Sequence, residues 1–454
     1  MNTSETKPKA RPPRKLPPFE LFFDSRGGGY FHRIQSRFVA LGASDVRLHL
    51  LARGFSKDQY KDGLREIDWP LWNAQMNHLV DYAGGLAGHR VGLFRSTSGK
   101  AFLVTDEPPG VWDKIPEHFK KPAWFLHFIQ ALLPEDQWLF VCHWLRIALE
   151  SMRRGDFRPG QVLILAGAYQ SGKSLLQAII TEILGGRSAN PFRYMMDKSQ
   201  FNYDLAGAEH WMIEDPGCST DMRTRRAFGA KLKECTVCKD FSIHQKGKDA
   251  LLLAVFRRVS LSVNDEPENL AVVPPLDSSI LDKIFLLLCS RVEIGEDRKA
   301  IWDTVLAEVP LIRAWLLRRL PALPADLNDA RFGVKAWQHP HLLCALADLS
   351  AESRLLALID HVVFDRAKVG EELSFWTGMA LDLEHKLRSS PFYFDVEKLL
   401  RYSNACGVYL ARLSKAHPDR VSSRVKHGRT VWDIKAPCTT EENENAKPPE
   451  SCPA

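Results

Sequence analysis

The clearest apolar pattern in the chain is a run of four consecutive aliphatic residues at 162–165, bounded by Pro159-Gly160 and by a loop that contains glycine. An unbroken aliphatic run of this length predicts a strand buried on both faces, as in a parallel sheet. Helical spacing of apolar residues follows at 175–184 and ends at a Gly-Gly pair. Further core strands are predicted at residues 211–213, 259–263 and 284–288. We therefore predict an α/β fold around a parallel sheet.

A small N-terminal α+β module is predicted in front of this core, over residues 19–115. Two apolar segments, 19–23 and 30–34, flank a glycine-rich turn at 26–29, which is the pattern of a β-hairpin. Ser44 then precedes a short amphipathic segment, and we expect its side chain to cap a helix there.

Helical patterns surround the predicted sheet and continue beyond it. Residues 122–153 carry aromatic side chains at helical spacing, and residues 300–320 form a second helical segment closed by prolines. Toward the C-terminus we predict three helices and two strands, at residues 375–387, 396–402, 405–416, 420–425 and 430–434. Three helices followed by a hairpin are the order of elements in a winged helix.

Charge is distributed unevenly along the 454 residues, whose formal net charge is +6. Residues 1–18 mix basic residues with prolines, and this composition predicts a disordered basic arm. Clustered glutamates at residues 436–454 predict a disordered acidic tail. Without the acidic tail, the rest of the chain is more basic than the net charge of the whole suggests, which favours a polyanionic partner, although basic surfaces without such a partner are also common.

No apolar run reaches the length needed to cross a bilayer, and the first residues lack the apolar stretch of a secretory signal. The nine cysteines are scattered, as expected of core thiols in a reducing compartment. We expect a cytoplasmic protein with no membrane partner.

The loop after the first core strand has the sequence of a phosphate-binding loop. A glycine, four residues of any type and then Gly-Lys-Ser let backbone N–H groups converge on phosphate oxygens. Lys173 is predicted to reach the β- and γ-phosphates of ATP, and Ser174 is predicted to bind Mg²⁺. The loop consists of Gly167, Ala168, Tyr169, Gln170, Ser171, Gly172, Lys173 and Ser174.

Polar residues follow the next two predicted core strands. Glu214 and Asp215 come directly after residues 211–213. One carboxylate, assigned to Asp215, is predicted to bind the hydration shell of Mg²⁺, and the other to polarise the attacking water. Asn264 ends the following strand, where its amide would orient that water. The alternatives are an acidic pair that merely ends a strand and an asparagine that forms a turn.

Together these motifs resemble the superfamily 3 helicases of viruses, phages and plasmids, a branch of the AAA+ ATPases. The distance from Gly167 to Asn264 matches the compact spacing of that family. Residues 201–210 and 262–267 are similar to the helicase-like part of phage primase-polymerases and related mobile-element proteins. The resemblance covers residues 120–435. It implies a P-loop AAA+ core that uses ATP and Mg²⁺, a hexameric ring, single-stranded DNA as the partner, and a primase or polymerase as a further partner.

The family also places a hairpin that holds single-stranded DNA between the acidic pair and the asparagine. The matching residues here are 239–248, and His244, Lys246 and Lys248 would contact phosphates or bases. In the predicted winged helix, the candidates for contacts with duplex DNA are Arg424, Lys426 and Arg429. Solvated basic turns are the alternative in both places.

The chain departs from the family pattern at the arginine finger, which a neighbouring subunit inserts beyond the asparagine. Lys283 is the nearest basic residue to that place, and Arg291 is the next arginine. A lysine lacks the bidentate fork of a guanidinium. Either Lys283 substitutes for the finger, Arg291 reaches the neighbouring site, or hydrolysis is slow.

The predicted organisation thus has six parts. They are a basic arm (1–18), an α+β module (19–115), an ATPase domain with a helical collar (116–320), a helical connector (321–370), a winged-helix-like DNA-binding domain (371–435) and an acidic tail (436–454).

The predicted function is ATP-driven translocation on single-stranded DNA and duplex unwinding in the replication of a phage or other mobile element. The first rival is a replication initiator or loader ATPase that unwinds little, and the altered finger favours it. A primase-polymerase lacks support, because residues 1–110 show no convincing set of metal-binding carboxylates. A small-molecule P-loop kinase and a non-catalytic DNA-binding protein are the remaining alternatives.

Overall fold

The computed structural model describes residues 19–437 apart from 59, 62, 97–98, 215–221, 248, 275, 277–278, 349 and 365–373. The chain divides into two compact units, and the second begins at Pro340. Within the described part of the chain, no helix is both long enough and apolar enough to cross a bilayer.

The first unit alternates short strands with helices along the chain. Its strands are β1 (Leu21–Asp24), β2 (Tyr30–Ile34), β3 (Arg37–Leu41), β4 (Tyr60–Lys61), β5 (Leu64–Arg65), β6 (Leu79–Val80), β7 (Tyr82–Gly84), β8 (Gly92–Arg95), β9 (Ala101–Val104), β10 (Val162–Gly167), β11 (Ser188–Ala189), β12 (His210–Glu214), β13 (Asp240–Ile243), β14 (Leu251–Ala254), β15 (Arg258–Val263) and β16 (Ile284–Cys289). Its α-helices are α1 (Ala43–Ala52), α2 (Trp69–Asn77), α3 (Ala123–Leu132), α4 (Gln137–Arg154), α5 (Lys173–Ile183), α6 (Phe192–Met195), α7 (Tyr203–Ala206), α8 (Met222–Val237), α9 (Pro267–Leu270) and α10 (Arg298–Arg318). Short 3₁₀ helices lie at Leu281–Lys283 and Ala325–Leu327.

The N-terminal part of this unit is built on small sheets. β1 pairs with β2 in antiparallel fashion, so the predicted hairpin is confirmed. Both belong to the sheet β3-β2-β1-β6, and β7-β9-β8 form another. Helix α1 is confirmed, but the prediction that Ser44 caps it is wrong. The helix begins at Ala43, and the Asp45 carboxylate already accepts the Gly42 N–H at 3.2 Å.

A five-stranded sheet in the order β11-β12-β15-β10-β16 forms the centre of the first unit, and its pairings are parallel. It confirms the strands predicted at 162–165, 211–213, 259–263 and 284–288. Every residue of β10 is buried, which is the pattern of a central strand covered on both faces. Because parallel strands point the same way, the residues that follow β10, β12 and β15 meet at one edge of the sheet.

Helices α3, α4, α5 and α10 form an apolar core against one face of this sheet. The helical pattern predicted at 122–153 is confirmed as two helices, α3 and α4. The chain breaks between them at Pro134, where Glu135 and Asp136 have positive φ values of 56° and 61°. Trp144 of α4 and Phe128 of α3 are only 1% and 2% exposed, so these aromatic side chains pack in the core.

The second unit is a smaller mixed structure with its own apolar core. Its elements are α11 (Pro340–Asp348), α12 (Ala351–Val363), β17 (Phe375–Gly378), α13 (Ala380–Arg388), α14 (Tyr393–Leu399), α15 (Ala405–Ala416), β18 (Val421–Lys426) and β19 (Arg429–Lys435). The strands form an antiparallel sheet in the order β17-β19-β18. Side chains from α12, α13, α14 and α15 pack with Trp432 and Ile434 of β19.

One helix predicted in this unit is wrong in its first part. Residues Phe375–Gly378 form β17, which pairs with β19, and the helix begins only at Ala380. Apolar residues at 375 and 376 suit a strand as well as a helix, and the backbone ladder with β19 decides between them. Helix α14 lies three residues earlier than the predicted 396–402, whereas α15, β18 and β19 are confirmed.

Candidate functional site

The glycine-containing loop lies between β10 and α5, at the carboxyl edge of the parallel sheet. A Cβ atom at Gly167 would lie 2.5 Å from the Cys289 carbonyl oxygen, so only glycine allows β10 to approach the end of β16 this closely. Gly172 has φ +113°, a conformation that an L side chain rarely adopts, and α5 begins at the next residue. The two glycines that the motif requires thus shape the loop at its two ends.

Lys173 and Asn264 lie side by side at this edge. The Lys173 Nζ donates hydrogen bonds to the carbonyl oxygens of Gly167 and Ala168 at 2.6 and 2.7 Å. It also donates to Asn264 Oδ1 at 3.3 Å, although 91 residues separate the two. Asn264, which the sequence predicts to be a site residue, is therefore in direct contact with Lys173 of the loop.

Glu214 and Ser174 face the same space. Glu214 ends β12 with its side chain exposed, and Ser174 is exposed at the start of α5. Both line one cavity together with Asn264. Hydroxyl and carboxylate oxygens are the ligand types that Mg²⁺ prefers, so these residues fit that ion. Asp215, the other predicted acid and the predicted metal ligand, lies outside the described residues.

The cavity at this edge has a volume of about 1380 Å³, which is large enough for a nucleotide. One wall comes from the chain after β16 and from α10, and it includes Arg291, Ile294, Arg298, Ile301 and Trp302. The backbone N–H of Val292 donates to Ser171 O at 3.3 Å, so this wall is hydrogen-bonded to the glycine-containing loop.

Sequence reasoning missed most of this wall and considered Arg291 only as a residue that reaches a neighbouring subunit. In the structure, Arg291 lines the cavity of its own chain. The strand order would have predicted this position of Arg291. Because β16 is parallel to β10, the residues that follow both strands lie at the same edge of the sheet.

A buried polar network lies behind the loop, between α5 and strands β12 and β15. The Gln177 Nε2 donates to Ser260 Oγ at 2.8 Å and to the carbonyl oxygen of Ile213 at 3.3 Å. The His210 ring joins Ser260 Oγ to Thr181 Oγ1, each at 2.7 Å. The Thr181 hydroxyl in turn donates to the Gln177 carbonyl oxygen at 3.1 Å.

These contacts fix the direction of each hydrogen bond. Because Thr181 uses its proton on Gln177, it accepts from His210 Nδ1–H, and His210 Nε2 accepts from Ser260. Burial lowers the pKa of His210 to about 3, so the ring is neutral at physiological pH. The network ties α5, which carries Lys173 and Ser174, to the residue before Glu214.

Lys283 lies at the opposite edge of the sheet. It precedes β16, and a six-residue strand separates it from the loop edge by about 20 Å. Its side chain is 8% exposed, and its Nζ contacts Asp282 Oδ1 at 2.5 Å and Ser279 O at 2.9 Å. Lys283 is thus not part of the cavity of its own chain.

The predicted DNA hairpin corresponds to β13 and β14, which pair in antiparallel fashion from Asp240–Ala254 to Ile243–Leu251. His244 begins the turn between them and is half-buried, and its Nε2 lies 3.1 Å from Ser242 Oγ. Lys246 is exposed in the turn. Lys248 lies outside the described residues.

The basic residues predicted to contact duplex DNA lie on the hairpin of β18 and β19 in the second unit. Lys426 and Arg429 face each other across the turn and are exposed. Arg424 is also exposed and forms an ion pair with Asp433 at 3.3 Å. His427 and Gly428 both have positive φ at the turn, as a tight hairpin requires.

Groups of His, Cys, Asp and Glu that could hold a metal ion do not occur among the residues that the structure describes. This does not bear on Asp215, which lies outside that set. The predicted Mg²⁺ ligands are Ser174, which lines the cavity, and Asp215, which the structure does not describe.

Comparison with known proteins gives a similarity of fold. No protein-family model and no curated protein sequence matches the chain. An apo structure of the NrS-1 C-terminal region superposes with a TM-score of 0.56 at 12% identity, covering 92% of this chain and 96% of that one. A second, the A-form apo structure, gives 0.55 at the same identity, covering 92% and 97%. JCV helicase matches only at 0.28 and 13% identity, over 51% of this chain and 61% of that one, which is too low to carry an argument. The chain is thus similar in fold to the NrS-1 C-terminal region.

Proposed function

We propose that this protein is an ATP-dependent DNA helicase of the superfamily 3 type, which hydrolyses ATP to move along single-stranded DNA in the replication of a phage or other mobile element. The observation that carries the proposal is the contact between Lys173 and Asn264 at a cavity that Ser174 and Glu214 also line. The strand, glycine loop and helix that precede this contact have the order of a P-loop AAA+ core.

Each residue has a role that suits hydrolysis of the γ-phosphate. Lys173 neutralises the β- and γ-phosphates, and the N-terminal amides of α5 bind their oxygens. Glu214 polarises the attacking water, and the Asn264 amide orients it. Ser174 and Asp215 would hold Mg²⁺, which supplies charge neutralisation at the phosphates.

Arg291 is a second cation, beside Lys173, that could bind phosphate in the same subunit, because it lines the cavity and lies one residue before the backbone contact with Ser171. Arg298 lines the same cavity from the first turn of α10. A guanidinium there would offset the charge of bound triphosphate before any neighbouring subunit contributes.

The nucleic-acid contacts of the proposal are divided between the two units. His244, Lys246 and Lys248 in the turn between β13 and β14 would bind single-stranded DNA inside a hexameric ring. The second unit, with helices α13 to α15 and the basic hairpin of Arg424, Lys426 and Arg429, is proposed as a winged helix that contacts duplex DNA. A primase or polymerase would be a further partner.

Lys283 is the proposed trans residue, which a neighbouring subunit would place at the phosphates. Its contacts with Asp282 and Ser279 hold the ammonium within its own subunit and use two of its three N–H donors. A lysine in place of arginine and this burial both favour slow turnover.

The second candidate function is a replication initiator or loader ATPase that unwinds little. The burial of Lys283 supports it, because an assembly ATPase needs nucleotide binding more than rapid hydrolysis.

A strand-displacement assay on a forked duplex separates the two candidates. The helicase proposal expects displacement that requires ATP and is lost in Lys173→Ala, because that substitution removes the phosphate-binding cation. Turnover of ATP by the wild type without displacement would instead support the initiator. Displacement by the Lys173→Ala variant equal to that of the wild type contradicts the assignment of the site.

A further inference from the structure

Asn202 makes a set of contacts that the proposed function does not use. Its side chain is fully buried and joins the backbone at the end of β13. The Asn202 Oδ1 accepts the His244 N–H at 2.7 Å, and its Nδ2 donates to Ser242 O at 2.9 Å. The Asn202 backbone N–H also donates to His244 O at 3.2 Å.

These hydrogen bonds lie where the β13–β14 ladder stops. The last paired residues of the ladder are Ile243 and Leu251, so His244 has no ladder partner from β14. Asn202 supplies the donor and acceptor that a third strand would supply. The position at which the chain enters the turn is therefore set by the segment before α7 rather than by the hairpin alone.

The other arm of the turn is held from the N-terminal module. The Arg26 Nη1 donates to Asp249 O at 3.1 Å. Arg26 lies in the turn between β1 and β2, and its own backbone N–H donates to Asp24 Oδ1 at 3.0 Å. A hydrogen-bonded turn therefore presents the guanidinium to the hairpin.

The segment that contains Asn202 also contacts the N-terminal module that carries Arg26. Tyr203, next to Asn202, donates a hydrogen bond from its hydroxyl to Ala83 O of β7 at 3.3 Å. The cavity between Arg26, Tyr203 and Asp249 is only about 20 Å³, room for a single water molecule, so the surfaces are in contact rather than forming a ligand site.

We propose that Asn202 and Arg26 are positioning residues that hold the two arms of the turn containing His244 and Lys246, so that the segment before α7 and the N-terminal module together set the geometry of the nucleic-acid-binding loop. The inference rests on the proposed function for its DNA part. A loop that is ordered before binding does not lose its conformational freedom when DNA binds, and its affinity is higher for that reason.

The test compares Asn202→Ala and Arg26→Ala with the wild type in ATP hydrolysis at increasing single-stranded DNA. The concentration of DNA for half-maximal stimulation is expected to rise about 3- to 10-fold for each variant, from the loss of one or two hydrogen bonds. The kcat without DNA should not change. Arg26→Lys should restore much of the affinity, because a lysine can still donate to Asp249 O.

Two controls match these changes without touching the hairpin. Gln161→Leu removes another buried amide that donates to a backbone oxygen, that of Val334 at 2.6 Å. Arg33→Ala removes an exposed arginine of β2 that pairs weakly with Glu20 at 3.8 Å. Equal loss of DNA affinity in these controls would mean that the effect is general destabilisation, and the inference would be overturned.

Cleavage by trypsin after Lys246 gives a readout that does not depend on DNA. Both variants are expected to be cut there faster than the wild type and the controls, because the turn is less held. Wild-type cleavage rates in both variants overturn the inference.

Failure of the proposed function gives a different result. If the wild type is not stimulated by DNA, or if Lys246→Ala leaves stimulation unchanged, the proposed function of the hairpin fails. The cleavage rates alone then decide whether Asn202 and Arg26 hold the turn.

Discussion

The Lys173 ammonium lies between its own loop and an asparagine that is distant in sequence. Its bonds to Gly167 O and Ala168 O are the short ones, and the bond to Asn264 Oδ1 at 3.3 Å is longer. Asn264 is thus close enough to Lys173 to lie beside a phosphate group that binds to the ammonium. That contact is the reason to assign the asparagine a role in hydrolysis rather than in turn formation alone.

Asn264→Ala is predicted to lower kcat on the order of 100-fold while leaving ATP affinity nearly unchanged, because the amide would act on the attacking water. Titration with a fluorescent ATP analogue and steady-state hydrolysis measure the two quantities. Asn328→Ala is the matched control, since this asparagine is exposed and its side chain makes a long contact with Pro324 O at 3.5 Å. An equal loss of binding and turnover would show that Asn264 only shapes the cavity.

Arg291→Ala is predicted to weaken ATP binding by the unassembled chain, on the order of 10- to 100-fold for a lost charged hydrogen bond. The dissociation constant at a protein concentration too low for assembly is the relevant measurement. Arg154→Ala, at an exposed site in the last turn of α4, should bind as the wild type does. Unchanged binding, with hydrolysis lost only in the assembled form, would place Arg291 in trans instead.

At the scale of elements, the placement of the candidate site follows from the parallel sheet. Unbroken aliphatic segments made β10 and β16 predictable, and their shared direction explains why the loop and Arg291 meet. The network of Gln177, His210, Thr181 and Ser260 was not predictable, because its members are far apart in sequence and no motif links the three segments that carry them. The pairing of β12 with β15, together with the packing of α5 against these strands, brings these groups together.

The buried His210 gives the fold a predictable response to acid. Burial lowers its pKa to about 3 from an ordinary value near 6.5, so below pH 6.5 the unfolded chain binds a proton that the native ring refuses. The free energy of unfolding should therefore fall as the pH falls from about 6.5 toward about 3. Urea unfolding at several pH values measures this slope.

His210→Gln is expected to flatten that dependence, since glutamine does not titrate. His118→Gln, which alters an exposed histidine, serves as its control and should keep the wild-type slope. A slope that His210→Gln leaves unchanged would assign the acid sensitivity to other groups, such as His143, whose pKa burial lowers to about 4.

β17 shows the limit of element prediction. Residues 375 and 376 have aromatic side chains that fit either a helix or a strand, and the sequence alone offers no ladder partner. The partner is β19, which lies more than fifty residues later. Long-range pairing of this kind overrides local periodicity, whereas α15 and β18, whose patterns agree with their surroundings, were predictable.

At the scale of the whole molecule, the proposed ring predicts that a residue of the neighbouring subunit completes each ATP site. Lys283→Gln and Lys173→Ala chains are each predicted to hydrolyse ATP poorly, and a mixture of the two is predicted to recover activity. In a mixed ring, the Lys173→Ala subunit supplies an intact Lys283 to the intact loop of its neighbour. Steady-state hydrolysis against mixing ratio measures the recovery, and a mixture no more active than the sum of its parts would exclude a trans role for Lys283.

The most direct test of the central claim is the rate of ATP hydrolysis by the wild-type chain with and without single-stranded DNA. If the site at Lys173 and Asn264 powers movement on DNA, single-stranded DNA should raise kcat severalfold, and Lys173→Ala should abolish both rates. Lys246→Ala should lower only the stimulation, because Lys246 is not among the residues that line the cavity. Hydrolysis that requires Lys173 but does not respond to DNA would contradict the account.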